Sequence, residues 1–321
     1  MPPGETRVAE GAETVELPDG RELAYAEYGD PDGVPVFFFH GLPGSRVSGS
    51  LSRNRKADLG VRVLAPDRPG FGRSEYAGDR SFADWAEDVA ALADALAVEE
   101  YGVVGFSGGG PYALACAAHT PERVTGCSVV SGAGPPGVAT DDHRRFDRAI
   151  RGAARHSVHL ARPLAWLLVR RVEAADRFTD VVGEPRDGDL ADPRLGETGR
   201  ILLSDFRESV RQGPTAVARD YAVLARDWDF DLADVAAPTR VFHGSADAAV
   251  PPAVGEHVAG EVPDADLTVY DGADHFRPVT EHVADVYGWL AERARDADGG
   301  ATDDCATDDD ATDEEASSVE E

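Results

Sequence analysis

Tyr101-Gly102-Val103-Val104-Gly105-Phe106-Ser107-Gly108-Gly109-Gly110-Pro111-Tyr112 is the stretch from which the fold of this chain is read. Tyr101 to Phe106 is a short run suited to a buried strand. Pro111 to Ala118 reads as a helix, with proline near its start. Between them lies Gly105-Phe106-Ser107-Gly108-Gly109, a serine flanked two residues away on each side by glycine. A serine that must stand clear of a sheet on a tight turn needs this arrangement. A side chain at 105 or 109 would collide with the neighbouring strand or helix, and glycine relieves the crowding. The following helix turns free N–H groups and its positive dipole end toward any negative charge that develops there. The same five residues would also suit a glycine-rich turn without chemistry. The strand before and the helix after favour the functional reading.

Outward from this turn, strands alternate with helices. Glu13 to Leu17 and Arg21 to Tyr28 flank Pro18-Asp19-Gly20, a hairpin signal. Val34 to Phe39, Val61 to Ala65 and Gly126 to Val130 are apolar runs of strand length. Thr239 to His243 and Leu267 to Tyr270 follow late in the chain. Phe82 to Val98 has apolar residues at helical spacing behind Ser81, a candidate N-cap. His282 to Arg295 reads as a closing helix. This alternation predicts an α/β fold with a mostly parallel sheet covered by helices on both faces.

Between Gly132 and Pro238 the alternation stops and the pattern is helical. The expected organisation is a core from 1–132 and 239–295, a helical cap from 133–238, and a tail from 296–321. The tail holds twelve acidic residues, no basic one, and three copies of an Ala-Thr-Asp-(Asp/Glu) unit. With no periodic apolar face it is expected to be disordered.

Three further segments carry polar residues at strand ends. His40-Gly41-Leu42-Pro43-Gly44 directly follows Val34 to Phe39. Acyl transfer needs two N–H donors aimed at the oxyanion; Leu42 and Gly108 are the candidates, with Gly41 allowing close backbone approach. His243-Gly244-Ser245-Ala246-Asp247 and Gly272-Ala273-Asp274-His275-Phe276 lie just beyond the carboxyl ends of two later strands, where open α/β sheets bind ligands. His40 is read as holding its own loop, His243 as a residue in or beside the core, and Asp274 as a loop residue. No His/Cys/Asp/Glu set has zinc spacing and no Gly-x-Gly-x-x-Gly follows a strand, so neither metal nor cofactor is expected.

These segments, with Asp67-Arg68-Pro69-Gly70-Phe71-Gly72-Arg73-Ser74, resemble the α/β-hydrolase superfamily over about Glu13 to Arg295. The resemblance implies Ser107 as nucleophile, Asp247 as the acid that orients the histidine, and His275 as general base. It also implies Leu42 and Gly108 as the oxyanion hole, and Gly105 and Gly109 as the glycines of the nucleophile elbow. Some members place the acid after the preceding strand, but Ser131 to Pro136 contains none. A serine at 107 disfavours the dehalogenase and epoxide-hydrolase chemistries, which resemble use of an aspartate there. The expected function is hydrolysis of an ester or related acyl bond of a small to medium substrate. Acyltransferase, amidase or aminopeptidase, carbon–carbon bond hydrolase and perhydrolase chemistry stay open on the same residues. A binding protein without catalysis would not need all three side chains.

Composition narrows the partners. Asp and Glu number 60 against 31 Lys and Arg, for a net charge of −29, and Lys56 is the sole lysine. Such a field repels phosphate, which excludes general nucleic-acid binding. An acidic surface almost without lysine resembles proteins of halophiles, whose charges are screened when the Debye length falls to ~3 Å at 1 M salt. Asp141 to Arg171 runs against this trend, with eight arginines and three aspartates. It is either a solvated, charge-paired face or a pocket rim that attracts anionic acyl substrates. The start of the chain has no signal-peptide pattern and no apolar run approaches the ~20 residues of a membrane span, so a cytoplasmic protein without stable membrane insertion is expected. Cys116, Cys127 and Cys305 form no CxxC pair; two are expected to be buried and one lies in the tail. Oligomeric state is not readable.

Overall fold

The computed structural model describes residues 11–139, 145–183 and 192–295. The acidic tail and Cys305 lie outside the described residues. Among the described residues eight strands form one sheet: β1 (Glu13–Glu16), β2 (Glu22–Gly29), β3 (Val34–Phe39), β4 (Val61–Pro66), β5 (Tyr101–Phe106), β6 (Val124–Val130), β7 (Thr239–Gly244) and β8 (Ala265–Tyr270). Their order is β1-β2-β4-β3-β5-β6-β7-β8. β2 runs antiparallel to both neighbours, and every pairing from β4 to β8 is parallel. This is the mostly parallel sheet that the alternation of strands and helices predicts.

Parallel strands need crossovers, and helices supply them. α1 (Arg53–Asp58) leads into β4, α2 (Phe82–Ala95) into β5, α3 (Gly110–His119) into β6 and α9 (Pro252–Glu261) into β8. After β8 come α10 (Arg277–Glu281) and a helical stretch over 283–295. Alternate side chains of each central strand enter separate cores. Val36, Phe38, Val63 and Val104 pack with Val286, Tyr287 and Leu290 on one face. Phe37, Phe39, Leu64 and Val103 pack with Trp85, Val89 and Leu114 on the other. Double-sided burial is why these strands read as unbroken apolar runs.

Local signals hold at several ends. Ser81 caps α2 in a reciprocal box with Asp84, whose N–H donates to the Ser81 hydroxyl while its carboxylate accepts the Ser81 N–H. The helix stops at Ala95, three residues short of the expected Val98, because Ala97 turns into the left-handed region at φ 54°. α1 and α9 were not visible as periodic segments. Cys116 and Cys127 are fully buried, and burial pushes both thiols up, Cys127 to about 12.

Between β6 and β7 the chain inserts helices α4 (Arg145–His156), α5 (Val158–Ala174), α6 (Phe178–Val182), α7 (Gly196–Ser209) and α8 (Pro214–Ala225). α4, α5 and α8 pack on one another. α7 is fastened to the segment after β3. Asp205 Oδ1 accepts from the Ser45 N–H at 2.8 Å, the Ser45 hydroxyl at 2.7 Å and the Ser48 N–H at 3.0 Å. Burial, outweighing those bonds, pushes its carboxyl up to about 7. Beside it Arg46, buried, pairs with Asp67 at 2.6 Å and with Glu208 of α7 at 2.9 Å.

Candidate active site

Ser107 sits where β5 meets α3, with its backbone at φ 53°. Few non-glycine residues adopt this conformation, and strain of this kind persists only where the surroundings enforce it. The enforcing contacts are visible at the two flanking glycines. A Cβ on Gly105 would stand 2.4 Å from the Gly109 carbonyl oxygen, and one on Gly109 would stand 2.1 Å from the Phe39 carbonyl oxygen. The turn can therefore press against its own helix and against β3 only with glycine at both places.

His275 follows β8 and Asp247 follows β7. Adjacent parallel strands bring these loops to the same sheet edge as Ser107. The Ser107 hydroxyl lies 2.9 Å from His275 Nε2, and His275 Nδ1 lies 2.7 Å from Asp247 Oδ2. A carboxylate at Nδ1 requires the Nδ1–H tautomer, which leaves Nε2 free to accept the hydroxyl proton. Asp247 is held in turn: its Oδ1 accepts from the Ala249 and Val250 N–H groups at 2.8 and 2.9 Å. Burial pushes the Asp247 carboxyl up. The charge available on His275 and hydrogen bonds from His243, His275 and the Val250 N–H outweigh it, and the group stays below the usual carboxylate range.

His243 does more than fill the core. Its Nε2 donates to the Val250 carbonyl at 3.0 Å and stands 3.4 Å from Asp247 Oδ2. It thus braces both the carboxylate and the turn that supplies the carboxylate's N–H donors. Asp274 accepts from the Phe276 and Arg277 N–H groups and approaches Arg194 at 3.2 Å, so it shapes the His275 loop rather than facing Ser107.

Leu42 and Gly108 meet beside the serine. A Cβ on Gly108 would come within 3.2 Å of the Leu42 nitrogen and 2.9 Å of its Cβ. A side chain at 108 would fill the space next to the Leu42 N–H, a requirement for glycine that spacing alone does not reveal. His40 is fully buried and neutral: burial and the Arg68 charge hold its imidazole well below its usual pKa, against the Gly41 carbonyl. Its Nδ1 donates to the Gly41 carbonyl at 2.9 Å, and its Nε2 accepts the Arg68 N–H at 3.1 Å.

A cavity of about 480 Å³ opens above Ser107, His275, Leu42 and Gly108. Its walls come mainly from the inserted helices, including Leu167 and Leu168 of α5, Val181 of α6, Phe206 of α7 and Tyr221 of α8. The size and the apolar walls with a few convergent polar groups suit a small organic substrate. Among the described residues three charged side chains line it. Arg151 pairs with Asp147 at 2.6 Å, while Arg171 donates through Nε to the Asp180 carbonyl and has no carboxylate partner among the described residues. Of the remaining arginines of the basic segment, Arg170 pairs with Glu173, and Arg144 lies outside the described residues. Among the described residues no His/Cys/Asp/Glu group could hold a metal ion, and no helix is long and apolar enough to cross a membrane.

Comparison with known proteins agrees with this architecture. The family model described as alpha/beta hydrolase fold matches residues 34–281. A non-heme chloroperoxidase of Streptomyces lividans is 30% identical over 274 residues, covering 82% of this chain and 92% of that protein. A bifunctional esterase/perhydrolase of Acinetobacter calcoaceticus is 28% identical over 273 residues, covering 83% and 94%. Among solved structures, an alpha/beta hydrolase fold protein from Nakamurella multipartita aligns over 88% of this chain and all of its own, with a TM-score of 0.63 at 24% identity. With a family model spanning all but the first two strands and the closing helix, this chain belongs to the α/β-hydrolase fold family.

Proposed function

We propose that this protein is a serine hydrolase that cleaves an ester or related acyl bond through an acyl-enzyme. The observation that carries the reading is the 2.9 Å approach of Ser107 Oγ to His275 Nε2, with His275 itself held by a buried Asp247, on the floor of a cavity. In this reading His275 takes the Ser107 proton as Oγ attacks the acyl carbonyl. Asp247 fixes the tautomer and stabilises the imidazolium. The Leu42 and Gly108 N–H groups stabilise the oxyanion, each worth about 3–4 kcal/mol in such sites. Collapse of the tetrahedral species expels the alcohol, which receives the proton from His275. Water, deprotonated by the same imidazole, then releases the acid and regenerates Ser107. The helices between β6 and β7 serve as a cap over the reacting groups, and the acidic, lysine-poor surface serves a salt-rich setting.

The test is labelling by a fluorophosphonate together with hydrolysis of a p-nitrophenyl ester series. Ser107→Ala should abolish labelling and lower kcat by at least about 10⁴-fold. Labelling that survives the substitution would remove the reading.

A second reading concerns the acceptor. The relative from Acinetobacter calcoaceticus carries both esterase and perhydrolase in its name. Hydrogen peroxide in place of water would convert the same acyl-enzyme into a peracid and free Ser107. Product analysis with peroxide or an added alcohol separates hydrolysis from transfer to either acceptor.

A further inference from the structure

The cavity's oxyanion side is built on a side chain that no step above uses. Arg68 follows β4 and is 1% exposed. Its guanidinium donates to the His40 carbonyl through Nη1 and to the Gly41 carbonyl through Nη2 at 3.0 Å. Its Nη2 and Nε also reach the Asp220 carboxylate, at 2.8 and 3.3 Å. Asp220 belongs to α8 of the helical insertion. It also accepts the hydroxyl of Tyr112 on α3, the helix behind Ser107. The Arg68 guanidinium lies 4.6 Å from the centre of the Tyr112 ring, which packs against it from that side.

Peptide geometry gives these contacts a consequence. The Gly41 carbonyl and the Leu42 N–H belong to one rigid peptide unit and point in opposite directions. Whatever fixes the carbonyl oxygen aims the N–H. Glycine at 41 leaves this unit free to rotate, because no Cβ resists the alternative backbone angles. Two donors, Arg68 Nη2 and His40 Nδ1, converge on the Gly41 oxygen and oppose that rotation. They also polarise the amide, which strengthens the N–H as a donor on the far side.

The geometry points to Arg68 as the positioning residue of the oxyanion hole, held at its working angle by Asp220, so that seating α8 and aiming the Leu42 N–H are one event. This rests on the reading of Ser107 as an acyl-accepting nucleophile. Arg68 touches no reacting atom. It acts through the peptide it orients, and the insertion acts through Arg68.

The experiment compares the parent protein with Arg68→Gln, Asp220→Asn and the double variant. It measures kcat, KM and the pH profile on one p-nitrophenyl ester, the inhibition constant of a trifluoromethyl ketone that mimics the tetrahedral species, and near-UV circular dichroism. Arg68→Gln should lower kcat by about 10²-fold, the effect of losing one oxyanion donor. The ketone should weaken by a similar factor, KM should stay within about threefold, and the pH profile should not move because His275 is untouched. Asp220→Asn should give the same signature at about tenfold, and the double variant should be no worse than Arg68→Gln alone. If Arg68→Gln fails to fold, Asp220→Asn decides by the ratio of kcat to ketone loss. A folded variant with kcat within threefold of the parent, a loss confined to KM, or losses that multiply in the double variant would overturn the inference. A parent that hydrolyses no ester and takes no fluorophosphonate refutes the nucleophile reading and the inference together. A labelled, active parent with an indifferent Arg68 refutes the inference alone.

Discussion

Replacing Lys56 by methionine should remove a pH dependence of stability that the fold builds into this chain's sole lysine. Lys56 lies on α1 and is 1% exposed. Its Nζ donates to the Gly49 carbonyl at 2.8 Å and lies 4.7 Å from the centre of the Tyr287 ring and 5.3 Å from that of Phe38. Among the described residues no carboxylate faces it, and burial pushes its amine down to about 7 from an ordinary 10.5. The folded pKa is the lower one, so folding releases a proton at any pH between the two values. Stability should therefore rise with pH across that window, by ~1.36 kcal/mol per pH unit. Below pH 7 both states carry the charge, and the penalty is full, on the order of 5 kcal/mol. Methionine has nearly the same shape and no charge, but leaves the Gly49 carbonyl without its donor, a cost of about 1–3 kcal/mol. At pH 6 the variant should be more stable than the parent by roughly 3 kcal/mol, and that advantage should shrink by about 4 kcal/mol between pH 7 and pH 10. Urea unfolding of both proteins at fixed ionic strength measures this, and the difference curve cancels every other titrating group. A difference that changes by less than about 1 kcal/mol over that range would show that the rings and the carbonyl keep the amine charged, and would refute the burial argument.

Asp247→Asn should lower kcat by about 10⁴-fold with little change in KM, because an amide at this place stabilises the wrong imidazole tautomer; steady-state kinetics of the folded variant checks it. Arg171→Gln should reduce kcat/KM for an ester bearing a distal carboxylate by about fivefold, the effect of ~1 kcal/mol from one exposed charge, while leaving the neutral methyl ester unchanged. Equal effects on the two esters would show that Arg171 does not select for charge. The melting temperature should climb as KCl is raised from millimolar to molar, since a net charge of −29 repels itself until screened; an unchanged melting temperature would contradict this.

Each element around the site differs in how local its cause is. Ser107 with Gly105 and Gly109 was legible because the constraint acts within five residues: a strained turn that clashes with β3 and with its own helix unless both glycines are present. The loop after β3 and the acid and histidine segments could be read for a related reason. Each lies just past an apolar run whose end marks a sheet edge. His243 was recognisable as a strand residue, but its contact with Asp247 depends on how the turn after β7 folds back. Arg68 lies within the Asp67–Ser74 loop motif, yet its partner Asp220 lies 152 residues away on a helix whose sequence carries no mark of that contact.

The amino-acid order alone determined the alternation of strands and helices, the strained serine turn, and which polar side chains end at the sheet's edge. These follow from short-range sterics and from periodic burial, both written in neighbouring residues. Tertiary structure alone decided that Ser107 and His275, 168 residues apart, come within hydrogen-bonding distance. It also decided that Lys56 is buried with no carboxylate facing it among the described residues, that Asp220 of α8 meets Arg68, which donates to the Gly41 carbonyl, and that Arg171 meets the cavity. Those outcomes depend on which distant surfaces pack together, and a linear pattern carries no distance between elements that only packing brings into contact.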